Sequence, residues 1–297
     1  LLDDKDEEVN FSWVLDETDS EYTCQIGFRA KVDTVGYSVY TLKLSDKKPD
    51  AHHNVVTNNG KVIGNVAGEA LLVDKGQVVW SRRGQRINDF LSFFDGGDAG
   101  DTYNYRKPQP DVVVRAGMTD MVSIESTATY ERLIFRMRMR IAPDLKEDAS
   151  RARGLSLLDI TTTATFYDNI PGIYFRTTFT NKAKDHRLRA HFRTNLKADN
   201  ILTDAVFGLT KRKIVKDGAQ VATHPQINVF PMQTLTAIEG EKETFMLMSR
   251  GLTEIEPVMD KEEVTLALTL LRAVGWLKRG DDGIPAKGAQ YERDIVV

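Results

Sequence analysis

Hydrophobic and polar residues alternate with a period of two along most of this 297-residue chain, and a sustained helical period is nearly absent. Residues 131–141 show the alternation most clearly, and their second half reads RMRMR. Such a pattern is typical of a strand with one dry and one wet face. The sequence therefore predicts that the arginines of this strand face solvent and that its methionines face a core.

The same alternation, punctuated by turn residues, predicts about fourteen strands. They cover residues 22–30, 37–44, 61–74, 77–81, 111–117, 122–129, 131–141, 157–167, 173–181, 188–195, 227–230, 235–238, 244–249 and 263–271. Strands in this number, without helices between them, are best buried in two large facing sheets. The predicted fold class is all-β, a large two-sheet super-sandwich.

Turn chemistry divides these strands. Asn58-Asn59-Gly60, Asp74-Lys75-Gly76 and Asp217-Gly218 predict hairpins. The charged segment 145–153 and the segment 199–204 are predicted to be loops. We expect residues 1–44 to form a linker with a small β unit, and residues 45–297 to form the sandwich.

Composition narrows the function classes. A net charge of −3 and a pI of about 6.0 give no polybasic signature for nucleic acid or a membrane surface. Cys24 is the only cysteine, so an internal disulfide is excluded and a reducing compartment is favoured. No apolar run approaches the ~20 residues of a membrane span. We expect a cytoplasmic protein.

Candidate chemistry concentrates in residues 93–108, FFDGGDAGDTYNYRKP. Three aspartates alternate with glycines and are followed by Tyr103 and Tyr105. Acidic, glycine and aromatic residues suit a loop that hydrogen-bonds a polyhydroxylated ring and stacks on its face. Calcium is an alternative ligand, since hard cations want several oxygens. A turn in which aspartate oxygens cap the backbone is favoured over both a cation site and a phosphate-binding loop.

The other catalytic classes find little support. The five histidines form no HxH, HExxH or HxD pair, and His186 and His191, five apart, fall on opposite faces of a strand. There is no GxSxG nucleophile motif. Many carboxylates are present, but spacing alone singles out no glycosidase pair. The residue types and their spacing therefore predict a large β-sandwich with a loop suited to binding sugars, and no specific reaction.

Four ordered segments carry a resemblance to a known family. They are FDGGDAGDTYNYRKP, NKAKDHRLRAHF (181–192), ADNILTDAVFGLTKR (198–212) with VFPMQTLTAIEG (229–240), and MLMSRGLTEIE followed by LALTLLRAVGWLKRGD. This series, across most of residues 60–290, resembles bacterial α-mannosidases of glycoside hydrolase family 38, including enzymes that act on mannosylglycerate.

That resemblance implies a domain arrangement. The region matched is the C-terminal super-sandwich, related to galactose-mutarotase domains, of an enzyme that hydrolyses terminal α-mannosides with retention of configuration. The family's nucleophile, acid/base aspartate and zinc ligands belong to a separate N-terminal catalytic domain. None of those motifs occurs here, so we assign no catalytic residue, metal ligand or cofactor to this chain, and we expect zinc in the missing domain. The partners implied are that domain and an α-mannoside; a homodimer is left open.

The resemblance also implies pocket residues. Tyr103 matches the family's tyrosine that hydrogen-bonds a mannose hydroxyl, and Arg272 matches an arginine that braces the active-site edge. Asp98, Asp101 and Tyr105 are further candidates. The alternatives are a structural salt bridge for Arg272 and simple packing for Tyr103.

Two other functions stay open. A carbohydrate-binding or purely structural β-sandwich, with no hydrolytic partner, is the main alternative. A free-standing epimerase of the mutarotase type would need a histidine acid and a glutamate base in one cleft, and no histidine lies in such a motif.

Overall fold

The computed structural model describes residues 1–14, 25–32, 35–45, 54–56, 63–64, 68–82, 84–168, 170–215, 228–278, 284–285 and 293–296. These residues form an all-β fold of antiparallel sheets, as the alternation predicts. The described part of the chain includes no helix long and apolar enough to cross a membrane.

The first large sheet has six strands, numbered along the chain. In spatial order they are β24 (Arg293–Val296), β13 (Tyr174–Asn181), β12 (Ser156–Tyr167), β11 (Tyr130–Ile141), β10 (Asp120–Ser126) and β3 (Asn54–Val56). Its longest ladder pairs β11 with β12 in unbroken antiparallel register, from Tyr130 opposite Tyr167 to Ile141 opposite Ser156.

The second large sheet also has six strands and supports the candidate site. In spatial order they are β17 (Phe230–Pro231), β20 (Glu254–Asp260), β21 (Glu263–Ala273), β14 (His186–Lys197), β8 (Leu91–Gly97) and β9 (Val114–Arg115). Since β14 lies between β21 and β8, side chains of these three strands can meet on each face of the sheet.

The remaining strands form four smaller sheets. The four-stranded sheets are β16 (Gly208–Lys213), β15 (Asn200–Ala205), β18 (Leu235–Glu239) and β19 (Thr244–Met248), and β4 (Ile63–Gly64), β5 (Glu69–Asp74), β6 (Gln77–Arg82) and β7 (Gln85–Ile87). The pairs are β1 (Phe11–Val14) with β2 (Gln25–Phe28), and β22 (Trp276–Lys278) with β23 (Ile284–Pro285).

The core lies between the two large sheets. Phe175 of β13 and Phe192 of β14 meet with ring centroids 5.8 Å apart, which joins the inner faces directly. One continuous cluster of buried apolar side chains draws on both sheets. Met137 and Met139 are buried while Arg138 and Arg140 are exposed, so the predicted orientation of the RMRMR strand is confirmed.

Turn predictions have mixed outcomes. Asp74-Lys75-Gly76 forms the predicted hairpin, in which Lys75 and Gly76 have positive φ and join β5 to β6. Asn58-Asn59-Gly60 and Asp217-Gly218 lie outside the described residues. In segment 145–153 the structure shows one isolated bridge, Leu145 with Arg151, and no strand, in agreement with a loop.

One loop prediction and parts of the strand predictions were wrong. Residues 37–44 form no strand and are mostly exposed, because the only pairing there is a single bridge from Thr41 to Leu2. Segment 199–204 is not a loop: it contributes to β15, in which Ile201 and Thr203 are buried. Most of 111–117 is also outside any strand, since only β9 pairs. The boundary at residues 44 and 45 stays a prediction.

Candidate functional site

A loop begins where β8 ends, and its shape is fixed by Asp98. The Asp98 carboxylate is fully buried, and its Oδ1 accepts hydrogen bonds from the backbone amides of Gly100 at 3.0 Å and Arg106 at 3.2 Å. The amide of Ala99 donates to the Arg106 carbonyl at 2.8 Å. One carboxylate therefore ties the two ends of the loop together.

Asp101 forms a second turn inside the first. Its Oδ1 accepts from the amides of Tyr103 at 3.0 Å and Asn104 at 2.8 Å, and its own amide donates to the Asn104 carbonyl at 3.0 Å. The interpretation of these aspartates as caps of their own backbone is confirmed.

Gly100 allows this tight fold. A Cβ at this position would lie 1.9 Å from the Asn104 carbonyl oxygen and 2.8 Å from the Arg106 nitrogen. Both neighbours are backbone atoms of the same loop, so no larger residue fits without moving the loop.

Arg272 of β21 braces this loop from the sheet. Its Nε donates to Asp98 Oδ2 at 2.7 Å, and its Nη2 donates to the Asp101 carbonyl at 2.8 Å. The arginine side chain is largely buried and Asp98 is fully buried. The structure thus brings Arg272 to Asp98 and Asp101, which precede it by 174 and 171 residues, and its salt bridge and hydrogen bond hold the loop.

Tyr103 lies at the surface of the loop, with 73% of its area exposed. The preceding residue is anchored, since the Thr102 amide donates to the Trp276 carbonyl at 3.0 Å and its hydroxyl donates to the Leu277 carbonyl at 2.6 Å. Simple packing does not account for an aromatic ring this exposed. A fixed backbone therefore presents a free phenol to solvent.

Tyr105 lies on the sheet side of the loop. The guanidinium carbon of Arg187 lies 4.4 Å from its ring centre, and that of Arg272 lies 6.0 Å away. Burial raises the pKa of the Tyr105 phenol, although the nearby Arg187 and Arg189 act in the opposite direction. The phenol is therefore a neutral hydrogen-bond donor at physiological pH.

A cavity of about 110 Å³ opens beneath Tyr105. It is lined by Gly96, Tyr105, Lys107, Val113, Arg187, Arg189 and Glu256. A smaller cavity of about 20 Å³, bordered by Trp80 and Phe245, holds little more than one water molecule.

Charged side chains of β14 and β20, the two strands on either side of β21, form one wall of the larger cavity. Arg187, only 2% exposed, donates from Nε to Thr269 Oγ1 at 3.1 Å and from Nη1 to Glu256 Oε2 at 3.2 Å. Its Nη2 lies 2.8 Å from Glu254 Oε1. Arg189 Nη1 donates to the same Glu256 oxygen at 2.6 Å.

The sequence analysis missed this charged wall. Its signal was present as two doublets with strand spacing, Arg187-x-Arg189 in DHRLR and Glu254-x-Glu256 in TEIE. Alternate residues of a strand share a face. What the sequence did not supply was the sheet order that places β20 next but one to β14.

A buried polar network lies behind the loop, on the opposite face of β14. Asp95 Oδ1 accepts from Arg151 Nη2 at 2.5 Å, and Asp95 Oδ2 pairs with His186 Nδ1 at 2.5 Å. His186 Nε2 lies 2.9 Å from Asn181 Oδ1.

The His186 ring lies between two polar side chains. The Asn181 amide is oriented by Ala183, whose amide donates to Asn181 Oδ1 and whose carbonyl accepts from Nδ2. Both His186 nitrogens thus lie against oxygen atoms, Asp95 Oδ2 and Asn181 Oδ1, and these contacts fix the orientation of the ring. The predicted separation of the two histidines is confirmed: His191, on the other face, stacks on Phe94 at 4.1 Å.

A zinc centre needs several histidine, cysteine or carboxylate side chains grouped around one point. Among the described residues, no three histidine, cysteine, aspartate or glutamate side chains are grouped closely enough to hold a metal ion. Asp98 and Asp101 direct their oxygens to backbone amides and to Arg272 instead. This part of the chain therefore does not fit a zinc centre, and we derive no chemistry through one.

Comparison with known proteins adds family information. Residues 67–283 match the model of the glycosyl hydrolases family 38 C-terminal domain. A protein of Halalkalibacterium halodurans, named as a mannosylglycerate hydrolase, is 29% identical over 154 residues, which are 52% of this chain and 15% of that protein.

Two solved structures from Enterococcus faecalis are similar in fold. One, a protein in the glycosyl hydrolase family 38, aligns with a TM-score of 0.65 at 19% identity, over 81% of this chain and 30% of its own. The other, an α-mannosidase from strain V583, aligns with a TM-score of 0.67 at 18% identity, over 97% and 35%. The chain therefore spans about a third or less of these relatives.

Proposed function

Because this chain belongs to the C-terminal domains of glycosyl hydrolase family 38, we propose that it is the non-catalytic part of an α-mannosidase. In this proposal it supports an N-terminal catalytic domain and forms one edge of the substrate pocket. The intact enzyme hydrolyses terminal α-mannosides with retention, and zinc belongs to the catalytic domain.

The observation that carries the pocket-edge role is the braced loop. Asp98, Asp101 and Arg272 fix the backbone, and Tyr103 remains exposed on it. A phenol held in this way can hydrogen-bond a mannose hydroxyl at little cost in conformational entropy. We assign direct sugar contact to Tyr103, with Tyr105 beside it; the other three act by holding the loop.

Histidine placement supports this reading over an epimerase. An epimerase needs a histidine acid that its substrate can reach. His186 is fully buried and His191 nearly so. The other three histidines lie outside the described residues.

Activity assays on two proteins test the proposal. The product of the complete reading frame should hydrolyse an aryl α-mannoside and release α-mannose first, as seen by NMR. The 297-residue chain alone should release no aryl group, with or without added zinc. Turnover by the 297-residue chain would refute the non-catalytic role. An inactive complete product that still binds mannose would favour the alternative, a carbohydrate-binding or structural module.

A further inference from the structure

We propose that the 110 Å³ cavity under Tyr105 is a binding site for a small monocarboxylate anion, such as a short hydroxy acid. This site shares Tyr105 with the pocket edge proposed above, but its occupancy is tested by binding and not by hydrolysis. It lies on the sheet side of the loop, whereas Tyr103 is exposed on its outer surface.

The charge of the cavity wall favours an anion. Three cations, Lys107, Arg187 and Arg189, line it, whereas two carboxylates, Glu254 and Glu256, pair with the arginines. Lys107 is exposed, and among the described residues it forms no ion pair. One positive charge is therefore available to a ligand without breaking an existing pair.

Arg189 has unused donors. Among the described residues its one hydrogen bond runs from Nη1 to Glu256, so Nε and Nη2 remain for a carboxylate. Burial lowers the pKa of Arg189, an effect that Glu256 partly offsets. A bound anion would relieve that cost of burial.

Arg187 contributes a fixed charge. Thr269, Glu254 and Glu256 hold its guanidinium in place, so its charge is oriented before any ligand arrives. A preorganised charge in a poorly solvated wall acts more strongly than one in water.

The volume of the cavity and the charges on its wall determine which class of anion fits. The volume exceeds the roughly 10–15 Å³ that one water molecule needs, so a two- or three-carbon acid fits. Glu256, on the same wall, repels a second negative charge, which disfavours a phosphate dianion. Glu256 and the neutral Tyr105 phenol can accept from and donate to a ligand hydroxyl.

Titration of the 297-residue chain, followed by NMR of the arginine Nε–H signals, tests the site. Lactate should shift the Arg187 and Arg189 signals saturably, with a millimolar Kd that weakens at higher salt. Propane-1,2-diol, which has the same carbon skeleton without the charge, should not. Equal shifts from both, or none from lactate, would overturn the proposal, as would tighter binding of inorganic phosphate.

Variants locate the binding. Lys107→Met removes an exposed charge that forms no ion pair among the described residues, so it carries little risk to folding, and it should weaken lactate binding about three- to tenfold. Arg189→Gln should weaken it further. Arg193→Gln is the matched control, since Arg193 is on the same strand and pairs with Asp260 outside the cavity. Unchanged affinity in Lys107→Met and Arg189→Gln would refute the site.

Two further arms separate this proposal from others. Mannuronate carries its carboxylate on a sugar, and mannose is the matching sugar without that charge. If mannuronate binds and its affinity depends on Lys107 as that of lactate does, the site accepts both a free acid and an acid carried on a sugar. If acidic peptides alone bind, the cavity is a protein contact and the proposal fails. Loss of lactate binding would leave the hydrolysis assay, and therefore the proposed function, unaffected.

Discussion

Two exposed aromatic residues differ in what holds them. Tyr103 lies on the Asp98 loop, where buried carboxylates and Arg272 fix the backbone. Phe207 is fully exposed at the two-residue turn between β15 and β16, which is closed by the pairing of Ala205 with Gly208. Exposure alone therefore does not mark a site. A costly buried scaffold beneath an exposed side chain is the stronger sign of function.

The largest expected loss of stability comes from removing the buried carboxylate that holds the loop. Asp98→Ala leaves the Arg272 guanidinium and two loop amides without their acceptor, so we expect a loss of about 3–5 kcal/mol in the free energy of unfolding. Asp159→Ala is the control, because its pair with Arg138 is exposed and worth at most about 1 kcal/mol. Urea denaturation measures both, and equal losses would contradict a special role for Asp98.

A second variant strains the loop without changing charge. Gly100→Ala places a methyl group against the Asn104 carbonyl, which should cost about 1–3 kcal/mol. Gly36→Ala has no atom within 4 Å of the new methyl and should change stability by less than about 0.5 kcal/mol. If Gly100→Ala were as stable as wild type in thermal unfolding, the close approach would be wrong.

One titratable group on β14 and one near the hairpin have strongly lowered pKa values. Burial, and then Arg189, Arg187 and Arg115, lower the pKa of His191 on β14 to about 3. Near the hairpin, burial acts to raise the pKa of Asp204, but hydrogen bonds from Thr234, Leu235 and Gln233 lower it to about 2.

Both groups lose their contribution to stability as pH falls, in different windows. In the unfolded chain this histidine binds a proton below about pH 6.5, whereas folded His191 stays neutral down to about pH 3. Lowering the pH from 7 to 5 should therefore reduce the free energy of unfolding by about 2 kcal/mol. Asp204 keeps its stabilising contribution above about pH 4 and loses it only as the pH falls from there through its folded pKa of about 2. Urea titrations at pH 7 and pH 5 should show that His191→Gln removes about 2 kcal/mol of the loss in the free energy of unfolding between these pH values. An unchanged loss would show that folded His191 takes up protons.

The smallest stability effect is expected at the two aromatic residues themselves. Tyr103→Ala and Phe207→Ala remove exposed rings, so each should change the free energy of unfolding by less than about 0.5 kcal/mol. A large loss in either, measured by urea denaturation, would mean that the ring packs against a surface.

Periodicity predicted the half-buried strands and failed for others. Residues of β11 alternate between core and solvent, so their pattern is visible in the sequence. β8 lies between β14 and β9 and is buried on both faces, so it has no alternation to detect. Residues 37–44 alternate but lack a partner strand, and a lone strand is not stable.

The candidate site was predictable in part. Residue types and motif resemblance singled out the Asp98–Pro108 loop and Arg272, and the structure places these together. The charged wall depends on the register of β14, β21 and β20, which no local pattern specifies. Long-range register is set by the burial of whole sheets.

Enzyme kinetics with the two aromatic variants test the central claim most directly. In the product of the complete reading frame, Tyr103→Ala should lower kcat/KM for an aryl α-mannoside about tenfold, since a hydrogen bond to the sugar is lost. Phe207→Ala, at the exposed turn between β15 and β16, should leave kcat/KM unchanged. Equal kcat/KM values for wild type and Tyr103→Ala would contradict the account, because the braced loop would then not touch the substrate.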